Sequence, residues 1–250
     1  MNKHLFCYSI WNKKELIQEI VYSIITYINP YSVSLLFLFD NCTDGSFEEF
    51  REYEHKLRER NYISTGLVSS REELFEVGCH YLAQDLCLET KHKSLIMLQD
   101  DMLINQYNFI ENIDKVMSTY KEQLGIIGCR DGFNTMYKNA IGSSWSEPKE
   151  NRVRDLRIGE HEEVKVINFG PVVYPFSTIE KVGFINKKFV GYYADADYSL
   201  RCINKGLINI VLGTDMVHRE SHVDKGSKIH NGEISKKDLE TFVSKYGGFI

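Results

Sequence analysis

No apolar run in this 250-residue chain approaches the ~20 residues that a membrane span needs. No secretory leader opens it either. The expected location is therefore cytoplasmic, with any membrane association peripheral to the inner face or made through a partner. Positive charge is also short. Lys+Arg number 30 against 35 Asp+Glu, which gives a net charge of −5. A nucleic-acid binder that draws its affinity from phosphate neutralisation is disfavoured by that balance. None of the six cysteines (Cys7, Cys42, Cys79, Cys87, Cys129, Cys202) makes a Cys-x-x-Cys pair. Most sit in apolar contexts, so they read as reduced core thiols, neither disulfides nor zinc ligands. Asn41-Cys42-Thr43 fits a glycosylation sequon, but with no secretory signal it reads as chance. Glycine is missing after the first apolar run. Ser9-Ile10-Trp11-Asn12-Lys13-Lys14 lacks the Gly-rich phosphate loop that a nucleotidyltransferase requires. Internal repeats, linkers and low-complexity segments are absent too, so 1–250 is expected to be one domain.

What is present is a rhythm. Leu5 to Ile10 reads as a strand, and Asn12 with Glu15 as a variant capping box opening a helix. Leu16, Ile20, Ile24 and Ile28 line one broad face of that helix, and Pro30 stops it. Val33 to Phe39 is continuously apolar, as in a strand covered on both faces. Phe47, Phe50 and Leu57 mark a helix, Ile63 to Val68 a strand, and Ser70 with Glu73 the start of another helix. Strands at 95–98 and 125–128 flank a helix around Phe109, Ile113, Val116 and Tyr120. Between 130 and 163 the periodicity breaks, as in a functional loop. It resumes near Val164 with a helix from Ala194 to Lys205 closed by Gly206, a strand at Ile208 to Leu212, and a last helix opened by Ser235 and Asp238. Alternation of this kind predicts an α/β fold with a mostly parallel, Rossmann-like sheet and helices on both faces.

Two acidic groups stand out. The run Leu95-Ile96-Met97-Leu98 ends in Gln99-Asp100-Asp101, which puts adjacent carboxylates at a strand's carboxyl end, the edge where open α/β sheets bind ligands. Such carboxylates repel each other unless a cation or donors stand between them, and a divalent cation on a phosphate would satisfy both. A solvated turn is the plainer alternative. The second group is Tyr192-Tyr193-Ala194-Asp195-Ala196-Asp197, at a helix start whose dipole favours anions. Asp197 and Arg201, four apart, also suit an ordinary helix-surface ion pair, which leaves Asp195 the better candidate for a working carboxylate.

The order of elements and motifs resembles the GT-A glycosyltransferases, in particular the inverting enzymes of family 2. Ser9-Ile10-Trp11-Asn12 and the helix after it match the family's opening. Phe39-Asp40-Asn41-Cys42-Thr43-Asp44-Gly45-Ser46 is similar to its second-strand motif, and Leu98-Gln99-Asp100-Asp101 stands where the family has Asp-x-Asp. Val182-Gly183-Phe184-Ile185-Asn186 through Asp195-Ala196-Asp197-Tyr198-Ser199-Leu200-Arg201 resembles its acceptor-side signature, and Val217-His218 its late histidine. The match spans roughly 4 to 222. Three positions depart from the pattern: Gln99 replaces the first Asp, Ala194 replaces a Glu, and Glu76, Gly78 and Ala83 stand where Asn, Gly and Ala are usual.

The resemblance implies a GT-A domain over 1–250, with a nucleotide-sugar half at about 1–128, an acceptor and catalytic half at about 164–222, and a tail and helix at 223–250. It implies Mn2+ or Mg2+ held by Asp101 and His218, with His222 a weaker candidate. Donor contacts fall to Asp40, Gln99, Asp100 and Arg71, although an exposed first-turn arginine also describes Arg71. Asp195 is the implied general base, and Tyr193 and Asp197 are the implied acceptor-side residues. The implied activity moves a sugar from a nucleotide-diphosphate donor, UDP-linked by preference, to a hydroxyl of a saccharide, lipid-linked or protein-linked glycan, in surface glycan or polysaccharide synthesis. Gln99 and Ala194 also suit a catalytically degenerate GT-A domain that only binds nucleotide-sugar or glycan.

Overall fold

A computed structural model of the chain describes residues 3–69, 73–130, 136–137, 152–153, 156–219 and 232–247. Strand β1 (His4–Ile10) is buried along its whole length. A 3-10 turn at Lys14–Leu16 then leads into helix α1 (Ile17–Tyr27). The expected Asn12–Glu15 capping box does not form. Asn12 is left-handed, with φ +50°, and its Oδ1 accepts the Thr43 N–H at 2.8 Å. The N–H groups of Lys13 and Lys14 donate to Ser46 Oγ at 3.1 Å and Asp44 Oδ2 at 2.8 Å. The loop of the next β-α unit therefore satisfies donors that a helix start leaves open, and the first two units interlock.

The alternation continues through β2 (Val33–Asp40), α2 (Ser46–Glu59), β3 (Ser64–Ser69), α3 (Phe75–Glu89), β4 (Ser94–Gln99), β5 (Met102–Ile104), α4 (Phe109–Tyr120) and β6 (Leu124–Arg130). Within the stretch where the periodicity breaks, β7 (Met136–Tyr137) and β8 (Arg152–Val153) pair antiparallel, and β9 (His161–Val164) follows. Most of that stretch lies outside the described residues. The chain then forms β10 (Val172–Pro175), α5 (Phe176–Val182), α6 (Ala194–Asn204), β11 (Ile208–Gly213), β12 (Met216–His218) and α7 (Gly232–Tyr246). Gly206 closes α6 as expected: its φ is +73°, and the Leu207 N–H reaches back to the Cys202 carbonyl at 3.0 Å.

The main sheet has eight strands in the order β3-β2-β1-β4-β10-β6-β11-β9. Its strands are parallel except β10, which runs against β4 and β6, and β9, which runs against β11. Successive residues of a strand face opposite sides. Cys7, Leu36, Leu95 and Met97 therefore pack on the side of α3, α6 and α7, while Phe6, Leu35 and Ile96 pack on the side of α1, α2 and α4. This is the α/β layering expected from the alternation. The cysteines are free thiols, all but Cys42 buried.

Candidate active site

The parallel strands deliver their acidic tips to one edge. β2 ends in Asp40, which is almost fully buried, at 4% exposure. Its two oxygens accept the N–H groups of Leu74 at 2.7 Å and Phe75 at 2.8 Å. Asp40 thus caps the entry to α3 from outside, where Phe75 is held left-handed at φ +55°. Burial raises its carboxyl above the usual range, against the pull of the two N–H donors. β4 delivers Gln99, Asp100 and Asp101. Asp100 Oδ2 accepts the Trp11 N–H at 2.8 Å, which joins this tip to the end of β1.

Asp101 and His218 meet because β5 and β12 form a separate antiparallel ribbon with His218 opposite Met102. The Arg219 N–H extends the ribbon to the Asp101 carbonyl at 2.8 Å. His218 Nε2 lies 3.1 Å from Asp101 Oδ2. Asp101 Oδ1 is buried and accepts no hydrogen bond from the described residues. Burial raises the Asp101 carboxyl, opposed by His218 and by Lys13. Lys13 is itself buried; at sequence level it passes for a solvated first-turn lysine, and only the fold brings its charge to this carboxylate.

An orphaned carboxylate oxygen beside an imidazole suits Mn2+ or Mg2+. No cluster of three or more His, Cys, Asp or Glu side chains that could hold a metal occurs among the described residues. Asp101 and His218, with Asp100 adjacent in the chain, are the groups here that could hold such an ion. Few protein ligands are usual for Mg2+-type ions on phosphate substrates.

Asp195 sits in the first turn of α6. Its Oδ1 accepts the Ala196 N–H at 2.8 Å and its Oδ2 the Phe169 N–H at 3.1 Å. Burial raises its carboxyl, and these N–H donors and the nearby His80 lower it again without cancelling the rise. His80 belongs to a buried chain that the sequence reading missed. Its Nδ1 lies 2.8 Å from the Tyr174 hydroxyl and its Nε2 3.0 Å from Glu76 Oε1. Its ring packs 4.5 Å from Phe169, the residue whose N–H holds Asp195. The i, i+4 spacing of Glu76 and His80 was the available signal.

Asp197, two residues on, faces elsewhere. It is fully buried. Arg201 Nε donates to its Oδ2 at 2.9 Å, and Lys245 Nζ and the Tyr246 hydroxyl donate to its Oδ1 at 2.5 and 2.9 Å. The expected Arg201 pair is present, but as part of an anchor for α7 and not as a surface pair. The acceptor-side assignment of Asp197 gives way to that role. Asp238, expected to help open the last helix, instead accepts the N–H groups of Val190, Gly191 and Tyr192 at 2.9 to 3.1 Å. Tyr193 follows with φ +61° and its ring 5.3 Å from Phe242 of α7. The last helix therefore fixes the loop that starts α6 and so aims Asp195. Arg71 and His222 lie outside the described residues.

No protein-family model matches the chain, and no curated protein matches it by sequence. Its fold, however, is similar to several solved glycosyltransferases. The mannosyltransferase PcManGT from Pyrobaculum calidifontis, in complex with GDP-Man and Mn2+, superposes with a TM-score of 0.65 at 12% identity, over 98% of this chain and 64% of that one. GalNAc-T7 with UDP, GalNAc and Mn2+ gives 0.63 at 12% identity, over 88% and 45%. TarS from S. aureus gives 0.58 at 13% identity, over 84% and 35%. The chain thus spans less than two thirds of each of these proteins. The likeness is one of fold, and the α/β architecture here is of the GT-A type. No helix among the described residues is long and apolar enough to cross a membrane.

Proposed function

We propose that the chain is an inverting, metal-dependent glycosyltransferase that moves a sugar from a nucleotide-diphosphate donor to a hydroxyl of a saccharide, lipid-linked or protein-linked glycan. The observation that carries this reading is the buried Oδ1 of Asp101, without a hydrogen-bond partner among the described residues, beside His218 at the sheet edge that also bears Asp40 and Asp100. Solved proteins of the same fold hold Mn2+ with GDP-Man or with UDP and GalNAc. Asp101 and His218 would hold Mn2+ or Mg2+, which would supply positive charge against the departing diphosphate.

The other roles fall to the chain's own residues. Asp40 fixes the entry to α3 and borders the nucleoside, UDP by preference. Gln99 offers an amide to a ribose hydroxyl, and Asp100 holds β1 against β4 at the donor's edge. Arg71 is assigned to a phosphate. Asp195 takes the proton from the acceptor hydroxyl as its oxygen bonds to the anomeric carbon and the bond to the diphosphate breaks. Attack from the face opposite the leaving group inverts that centre. A carboxyl raised by burial is a better base near neutral pH than a fully solvated one. Tyr193 shapes the approach to it. In this reading 1–128 holds the donor, 164–222 the acceptor and the base, and 223–250 braces the second half; the product belongs to a surface glycan or polysaccharide.

Gln99 and Ala194 favour one second reading, a degenerate GT-A domain that binds without transfer. Asp101→Asn separates the two. Thermal shift with UDP or GDP should show a Mn2+-dependent rise for the native chain. That rise should vanish in Asp101→Asn, while the melting temperature without ligand stays near native. Undiminished Mn2+-dependent nucleotide binding in Asp101→Asn would remove Asp101 from the metal site. Nucleotide binding with no hydrolysis or transfer of any donor sugar would favour the binding module.

A further inference from the structure

Outside the sheet-edge site, a groove of about 550 Å3 runs along the helical flank between α3, the α5–α6 loop, α6 and α7. Among the described residues, its walls contribute four cations, Lys187, Lys188, Arg201 and Lys245, and no carboxylate. The chain as a whole is acidic, with a net charge of −5, so this is a local reversal of sign. Buried Asp197 offsets only one of the four, through Arg201 and Lys245. Lys187 and Lys188 are exposed. Two half-buried aromatic rings also line the groove. Tyr81 and Phe184 lie 5.0 Å apart between ring centres, and the Lys187 ammonium sits 4.0 Å from the centre of the Tyr81 ring.

The groove is braced. Arg201 donates to the carbonyls of Val182 and Phe184 at 3.2 and 3.0 Å, and Gln84 Oε1 accepts the Ile185 N–H at 2.8 Å. A preformed site loses less on binding than one that must be ordered first. We propose that this groove binds an acidic glycan, a saccharide chain bearing phosphate or carboxylate groups, as the extended part of the acceptor. The identification as acceptor rests on the glycosyltransferase reading. Paired cations meet the acid groups, and the aromatic rings meet the apolar faces of sugar rings. The groove and Asp195 share helix α6: Arg201 is six residues on, about 9 Å along the axis and about a third of a turn round it. An extended chain seated there would bend round α6 to bring its end to Asp195. Two aromatic rings set beside the cations favour a glycan, whose sugar faces stack on such rings, over a membrane.

The test uses Lys187→Glu/Lys188→Glu, two exposed positions outside the catalytic assignments. Calorimetric titration is run with a phosphorylated oligomannoside and an oligogalacturonide, each against its neutral counterpart, dephosphorylated or methyl-esterified. At least one acidic probe should bind ten-fold or more tightly than its neutral form, and more weakly as salt rises. The double variant should lose at least ten-fold of that affinity while its Mn2+-dependent nucleotide binding stays native. Equal binding of acidic and neutral forms, an unaffected variant, or no binding of either acidic probe would overturn the groove assignment. Phosphatidylglycerol vesicles captured through the same lysines, with no saccharide bound, would overturn it in favour of a membrane. If the native chain binds the acidic probe but no nucleotide with Mn2+, the glycosyltransferase reading fails while the groove stands as a glycan site. If it binds nucleotide and neither probe, the groove fails alone.

Discussion

The same strands carry opposite chemistry at their two ends. At the amino edge, where β1 and β4 begin, His4 is fully buried. Its Nδ1 lies 2.6 Å from Ser94 Oγ and its Nε2 3.1 Å from Asp114 Oδ1. Lys93 completes the set with two contacts to Asp114 at 2.7 and 2.9 Å. Every one of these polar side chains has a partner of suitable sign or hydrogen-bonding sense. At the carboxyl edge, where β2 and β4 end, Asp40, Asp100 and Asp101 converge, and one buried Asp101 oxygen has no hydrogen-bond partner among the described residues. Buried polar groups are normally satisfied, because leaving one unmet costs about 1–3 kcal/mol. Ser64 Oγ, at the start of β3, also lacks a hydrogen-bond partner among the described residues; what sets the carboxyl edge apart is that its unmet atom belongs to a carboxylate beside an imidazole.

The comparison breaks first at Asp195. Asp195→Asn removes the basicity and leaves one of the two backbone N–H donors facing an amide NH2, so kcat should fall by at least ~100-fold with donor affinity nearly unchanged. Steady-state kinetics against thermal-shift affinity reads the split. Normal sugar transfer by this variant would mean that the carboxyl edge has no base at this position. The raised Asp195 carboxyl also places the acidic limb of the rate profile above that of an ordinary solvated aspartate, because the base must be ionised to work.

Asp197→Asn should do the reverse. It disturbs a buried carboxylate shared by Arg201, Lys245 and Tyr246. Both cations keep some exposure to water, which weakens the effect, so the expected loss is about 1–3 kcal/mol of stability. Melting and denaturant curves measure it, with kcat per folded molecule largely kept. A collapse of turnover without a change in melting would exchange the roles of the two aspartates.

The smallest effect sharpens the contrast in pH. Burial holds the His4 imidazole below its ordinary range, against the Asp114 bond that raises it. A histidine depressed in the folded state is protonated first in the unfolded chain. Its contribution to stability is therefore full at neutral pH and is lost as the pH falls below the unfolded value of about 6.5. Asp195 has the opposite sign: raised in the folded state, it adds stability as the pH falls toward the unfolded carboxylate range. His4→Gln should therefore flatten the fall in melting temperature between pH 7 and 5 by a few degrees at most. An unchanged pH slope would remove His4 from the account.

The layering was legible because apolar periodicity responds to burial, and burial decides it. β2 reads as a continuous apolar run because both its faces are covered, and α6 could be bounded at Gly206 because a left-handed C′ residue favours glycine. Asp195 and Asp101 were legible as candidates from their positions at a helix start and a strand tip. Other features were illegible for one shared reason: their partners lie far away in sequence. Asn12 bonds to Thr43 and not to its own helix. Asp238 serves a loop 46 to 48 residues earlier. The charge of Lys13 acts on Asp101 across the sheet edge.

Sequence alone determined the six parallel strands, most of the helices, the two-sided sheet and which carboxylates stand at strand tips and helix starts. Those follow from local periodicity, turn chemistry and residue type. It did not reveal the antiparallel strands β5, β9, β10 and β12. Only the tertiary structure decided which carboxylates are spent and which are held ready. It turned Asp197 into an anchor for α7, gave Asp40 to α3, and left an Asp101 oxygen beside His218 unmet by any described residue. A side chain's role depends on which atoms stand within about 3 Å of it, and long-range strand pairing and helix docking set those neighbours.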